Sequence, residues 1–263
     1  MSTLHAAFLI AAGLLAGIVG TAGGITSLVS YPALLAVGLA PFAANATNLV
    51  ALNACWPGSA LGSRAELSGW GAWLGRWLPL TAAGGGAGAA LLLLTPPGAF
   101  ASVVPFLIVA AALALIAEPW LSALRDARLR RSQREPGAGH GREHHGPLLA
   151  AGLALLAVYG GYFGAGSGVM TLALLLVLVE RDLPVANAVK NMINGSVTLP
   201  AGVLLAFLGP VHWPAAIALG AGALVGSTIG PTVTRALPRV LARWLVAALG
   251  LGLAVWLWVK PSV

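Results

Sequence analysis

Residues 5–39 read HAAFLIAAGLLAGIVGTAGGITSLVSYPALLAVGL, with no Asp, Glu, Lys or Arg and a glycine cluster at Gly17-Ile18-Val19-Gly20-Thr21-Ala22-Gly23-Gly24. As one straight helix the stretch would reach about 52 Å at 1.5 Å per residue, against a hydrocarbon core of about 30 Å. Divided at the glycines it gives two arms of about 15 residues, each somewhat short of a crossing. The arms and motif therefore form either a hairpin that enters and returns on one side or a long helix that is tilted or broken. The stretch lacks the basic leader of a signal peptide and reads as mature structure.

The same pattern returns later. Gly161-Tyr162-Phe163-Gly164-Ala165-Gly166-Ser167-Gly168 again separates two apolar runs. Pro41 and then Asn45, Thr47 and Asn48 follow the first motif, and Pro184 and then Asn187, Lys190 and Asn191 follow the second. Trp77-Leu78-Pro79 is echoed by His212-Trp213-Pro214, and the small-residue run 84–88 by 220–226. An internal duplication accounts for these echoes. Its halves are residues 1–123 and 147–263, joined by a basic linker, 124–146, reading LRDARLRRSQREPGAGHGREHHG.

Composition places both halves in lipid. Of 263 residues, 59% are hydrophobic and 8% charged, and the mean hydropathy is +0.91; soluble domains carry roughly 25% charged residues. The expected fold is all-α, a polytopic membrane bundle in which each half carries a Gly-interrupted short-helix hairpin followed by three spanning helices, the first of them near 42–62. The net charge of +7 does not call for nucleic acid, because six of the fourteen Lys and Arg lie in the central loop, as expected of a segment retained on the cytoplasmic side. With that loop inside, three crossings per half place every Lys and Arg except Lys260 inside and invert the halves. Four crossings per half would make the halves parallel and move Arg181, Lys190, Arg235, Arg239 and Arg243 outside. The positive-inside rule favours inversion. The tryptophans lie mostly near segment ends, where indoles anchor at the headgroups.

Two sets of residues could meet a solute. Gly20, Gly23 and Gly24 with Thr26, and Gly164, Gly166 and Gly168 with Ser167, place irregular backbone inside the membrane, which survives only where protein buries it or a polar cavity hydrates it. Arms starting near Ile25 and Val169 would aim helix N-termini into one site, and matching interruptions in two halves are a pointer to a transporter's binding site. The alternative is that these glycines only admit close helix packing. The second set is Asn45 and Asn48 in one half and Lys190, Asn191 and Asn194 in the other. Lys190 would need a partner inside a membrane, and a bound anion would supply one, unless its side chain reaches the interface. Isolated Asn residues also bridge helices. The seven acidic residues all fall in loops or near segment ends, so no carboxylate relay is expected.

Other chemistries find little support. Cys55 alone forms no intrachain disulfide. His140, His144 and His145 lack regular ligand spacing, so no metal is expected. Ser167 lacks the flanking glycines of a nucleophile elbow, since Ala165 and Val169 stand there. No G-x-x-x-x-G-K-[ST] segment or other cofactor signature is present.

The paired Gly motifs at 20–24 and 164–168, the proline- and Asn-containing helices after them and the duplicated apolar layout resemble the TauE/SafE sulfite exporter family, also called the four-toluene-sulfonate uptake permease family. The resemblance covers nearly the whole chain outside the central loop. It implies a multi-pass protein of the cell membrane, here the bacterial inner membrane, that transports sulfite, sulfoacetate-like organosulfonates or another small anion. The expected function is secondary transport by alternating access, with a small anionic substrate and the lipid bilayer as partners, a homodimer as a possible assembly, and no enzymatic activity. An anion channel and a transporter of another small carboxylate or oxyanion remain the alternatives.

Overall fold

The computed structural model describes residues 2–113, 146–180 and 182–234. The linker up to His145, its His and Arg residues, and Trp120, Trp244, Trp256, Trp258 and Lys260 lie outside the described residues. Every element within them is an α-helix.

α1, Thr3–Gly23, opens on Ser2, whose side chain accepts the His5 N–H, and closes on Gly24 in the left-handed region at φ 77°. It runs 21 residues, longer than the arm expected, because it continues through Gly17, Gly20 and Gly23 instead of stopping before them. Gly24 is where the chain breaks. α2, Thr26–Ala36, starts two residues on, and Pro41 at the first position of α3, Pro41–Leu52, provides the fixed φ that suits a helix start. The segment expected as one crossing near 42–62 is divided. Asn53 ends α3 by turning its side-chain amide back onto the Leu49 and Val50 carbonyls, and α4 then covers Cys55–Gly62.

α5, Gly71–Leu94, α6, Pro97–Leu113, and α7, Gly146–Tyr162, lead to the second motif, where Gly164 and Gly166 take φ 80° and 74°. α8, Ser167–Leu178, α9, Leu183–Leu208, and α10, Trp213–Thr234, complete the described chain. Among the described residues four helices are long and apolar enough to cross a membrane: α1, α5, α9 and residues Trp213–Gly230 of α10. Their outward faces carry large apolar side chains, including Leu4, Phe8, Leu15, Leu94, Phe207 and Ile217. Apolar exposure spread over so many helices suits a lipid solvent.

The helices of the two halves embrace reciprocally. α1 packs on α10, and α7 packs on α5. Small residues set both contacts: a Cβ on Gly13 or Gly17 would meet the α10 backbone at Leu219 and Ala223, and one on Gly222 or Gly226 would meet the α1 backbone at Ile10 and Leu14. Likewise a Cβ on Gly161 of α7 would meet the α5 backbone at Gly85, and one on Gly88 of α5 would meet the α7 backbone at Val158 and Tyr162. Without a hydrophobic force between helices in lipid, such close approach is what holds them together. Gly226→Leu should therefore force α1 off α10 and destabilise the protein by roughly 1–3 kcal/mol, the usual cost of overpacking, visible as a lower melting temperature in detergent.

Tyr31, Phe42, Phe100, Tyr162 and Phe163 form an aromatic cluster from both halves, with the Tyr31 and Phe163 rings edge-on at 5.4 Å. It braces the second glycine motif. The tryptophans divide in their roles: Trp213 is exposed, as expected of an anchor, but Trp70 and Trp77 are buried around the start of α5.

Candidate functional site at the paired glycine breaks

The two helix breaks meet. A Cβ on Gly24 would fall on the backbone of Gly168 and Val169, and one on Gly168 would fall on Gly24 Cα and O. α2 starts at Thr26 and α8 at Ser167, within two residues of the starts read from sequence, so two helix N-terminal ends lie at this contact. The first N–H groups of a helix have no partner inside it, and its dipole is positive there.

Beside the contact lies a cavity of about 80 Å³. Eight of the residues expected to meet a solute line it: Gly20, Gly24, Thr26, Gly164, Ser167, Gly168, Asn191 and Asn194. Ser27, Ser59, Thr171 and Thr198 add hydroxyls, and among the described residues no charged side chain stands in the wall. The irregular backbone of the second motif is held internally, by Ser167 Oγ donating to the Gly164 carbonyl and Tyr159 Oη donating to that of Ala165.

The other five expected residues lie elsewhere. Gly23 is helical with open space where a side chain would be, and Gly166 packs against Ala111 of α6. Asn48 is fully buried, accepting from Ser30 at 2.5 Å and donating to Ser27 at 3.2 Å, so it fixes α2 on α3 and holds Ser27 in the wall. Lys190 is fully buried behind the wall. Its Nζ donates to the Gly20 carbonyl at 3.2 Å, the Thr21 carbonyl at 3.5 Å and Asn187 Oδ1 at 2.9 Å. Asn187 and Asn191 donate to the Thr21 carbonyl as well. This cluster on α9 thus satisfies the end carbonyls of α1, where the dipole is negative. Asn45 does the corresponding work for the other half, donating from α3 to the Tyr162 carbonyl at the end of α7 at 2.9 Å. Each half's post-proline helix caps the other half's first arm.

Against this geometry a family model described as "Sulfite exporter TauE/SafE" matches residues 7–257. The chain belongs to the TauE/SafE sulfite exporter family. The match takes in both glycine breaks, both capping helices and the whole cavity wall of this TauE/SafE chain. A Sinorhizobium sp. protein described as "Probable membrane transporter protein ORF9" is 25% identical over 259 residues, covering 97% of this chain and 93% of that protein. No solved structure matches. As a TauE/SafE member with several apolar spanning helices, the protein is a multi-pass membrane transporter.

Several wall residues of the TauE/SafE chain escape the reading of the motifs alone. Thr171 follows Ser167 by four positions and Thr198 follows Asn194 by four, so both share a helix face with residues already singled out. That spacing was available in the sequence. Trp56 and Ser59 on α4 had no such neighbour, because only the break at Asn53 turns α4 toward the cavity.

Proposed function

We propose that this protein is a secondary transporter of small sulfur oxyanions and organosulfonates, sulfite first, working by alternating access with the cavity at the paired breaks as its substrate site. The observation that carries this reading is the meeting of two helix N-terminal ends, through Gly24 and Gly168, at the wall of a cavity in which no charged side chain stands among the described residues. Such ends favour anions. A carboxylate in the wall would repel them, and none stands there among the described residues.

Size agrees with a compact solute. About 80 Å³ is several times the roughly 10–15 Å³ that one water needs on this measure. A pyramidal anion of four heavy atoms fits that space, whereas a larger sulfonate requires the wall to yield. The reciprocal embrace of the halves supports alternating access, since rocking one half against the other would open the shared site to either side while each half stays intact.

The test is uptake of radiolabelled sulfite, sulfoacetate and sulfate into proteoliposomes. Saturable flux of a sulfur anion, above that of protein-free vesicles, is expected. Flux that rises without saturation and carries current would make the protein a channel, and no flux of any sulfur anion would remove the substrate assignment.

A further inference from the structure

The hydroxyls in the cavity wall are not alike. A hydroxyl has one proton to donate, and Ser59, Ser167 and Thr198 each commit theirs to the backbone carbonyl three residues earlier, of Trp56, Gly164 and Gly195. An anion beside them meets lone pairs. Thr171 of α8 differs, because its side chain makes no hydrogen bond among the described residues. The buried Thr21 and Thr81 turn back onto the carbonyl four residues earlier, the common resort of a threonine inside a helix. Thr171 makes no such bond to Ser167.

Its oxygen is nonetheless open. Among the described residues, the buried side-chain atoms sealed without a partner are Asn45 Oδ1, Asn53 Oδ1 and Trp56 Nε1, so Thr171 Oγ1, which also has no partner, keeps accessible surface. The residue is 2% exposed and stands in the cavity wall, so that surface faces the cavity.

Position ties this hydroxyl to the paired breaks. Gly168 lies one turn earlier on the same face of α8. A Cβ there would meet the Gly24 backbone and would stand 3.0 Å from Asn194 Nδ2. Asn194 also lines the cavity, and its side chain too makes no hydrogen bond among the described residues. Thr171 is therefore one turn inside the helix whose N-terminal end meets the other break, with a second uncommitted donor at the meeting point.

We infer that the Thr171 hydroxyl donates directly to an oxygen of the transported anion, making Thr171 a specificity-determining residue of the site. This inference rests on the cavity being the substrate site. Buried as it is, the hydroxyl finds its acceptor in whatever fills the cavity, and an oxyanion provides one at charge-assisted strength. A solute without an acceptor leaves the O–H unpaired.

Thr171→Val keeps the branched shape and deletes the hydroxyl. In proteoliposomes it should raise the apparent KM for sulfite about tenfold or more, the loss of one hydrogen bond to a charged group, with the maximal rate held within about twofold. Thr171→Ser, which keeps the hydroxyl and drops the methyl, should hold the KM within about threefold of wild type. Melting curves in detergent read the same contact without transport. Substrate-free Thr171→Val should melt no lower than wild type, since no bond within the protein is lost, and sulfite should raise its melting temperature less than that of wild type at constant ionic strength. Thr171→Ala replaces Thr171→Val should the latter misfold. With wild-type sulfite flux present, an unchanged KM in the deletion variant, or a KM in Thr171→Ser raised as far, overturns this inference and leaves the transport reading standing. A lowered substrate-free melting temperature, or misfolding of both deletion variants, makes the hydroxyl structural and overturns it equally. Absence of both flux and melting shifts in wild type with sulfite, sulfoacetate and sulfate overturns the two together.

Discussion

Gly24→Ala is expected to abolish anion flux, while Gly23→Ala, one residue away, leaves it near the wild-type level. Gly24 holds φ 77°, and a Cβ there would lie 2.6 Å from Val169 N and 2.7 Å from Gly168 Cα. The left-handed backbone costs an alanine about 1–2 kcal/mol, and forcing the breaks apart adds roughly 1–3 kcal/mol of overpacking. Both costs fall on the contact that brings the two helix ends together. Gly23 is helical and faces open space, so alanine there gains up to about 1 kcal/mol of helix propensity. Gly38→Ala separates the two costs, because Gly38 has φ 91° with nothing nearby and would suffer only the backbone strain. Sulfite uptake by the three variants, normalised to folded protein in the vesicles, is the measurement. Equal loss in Gly24→Ala and Gly38→Ala would show that strain alone, and not the meeting of the breaks, matters.

Lys190→Met should lower both the melting temperature and the flux. The substitution keeps the apolar stem and removes three hydrogen bonds from Nζ, among them the buried one to the Gly20 carbonyl at 3.2 Å and the one to the half-buried Asn187 Oδ1 at 2.9 Å. An unsatisfied buried group costs about 1–3 kcal/mol, and the end of α1 also loses its favourable contact with the lysine. Because Lys190 and Asn187 share one cluster, Asn187→Ala combined with Lys190→Met should destabilise by less than the sum of the two alone. Thermal unfolding in detergent measures the cycle. An unchanged melting temperature with a raised KM would instead place Lys190 on the substrate.

The sequence carried the membrane class, because 8% charge with a mean hydropathy of +0.91 leaves too little polar surface for water. Glycine clusters likewise mark the two breaks and place the starts of α2 and α8 nearly where they occur, since only glycine enters the left-handed region so readily. Lys190 shows where such reading stops. Its depth in the chain suggested that it needed a partner, but besides Asn187, one turn earlier, the partners are backbone carbonyls 170 and 169 positions away in the other half, and no local pattern marks a carbonyl. Asn48 was equally visible as a buried amide, yet the hydroxyls of Ser27 and Ser30 that engage it are ordinary helix residues. Trp56 reads as a headgroup anchor until the break at Asn53 and the bare surface of Gly195 bring its ring inside.

The crossed capping also bears on how the chain is made. The end of α1 leaves the ribosome about 170 residues ahead of the Lys190 that completes it, a delay on the order of 10–30 s at ordinary synthesis rates. During that interval its terminal carbonyls face an apolar milieu without their final donors, so the nascent first half must lodge beside water, lipid headgroups or the insertion machinery. The caps of α1 are therefore completed late, when α9 of the second half arrives.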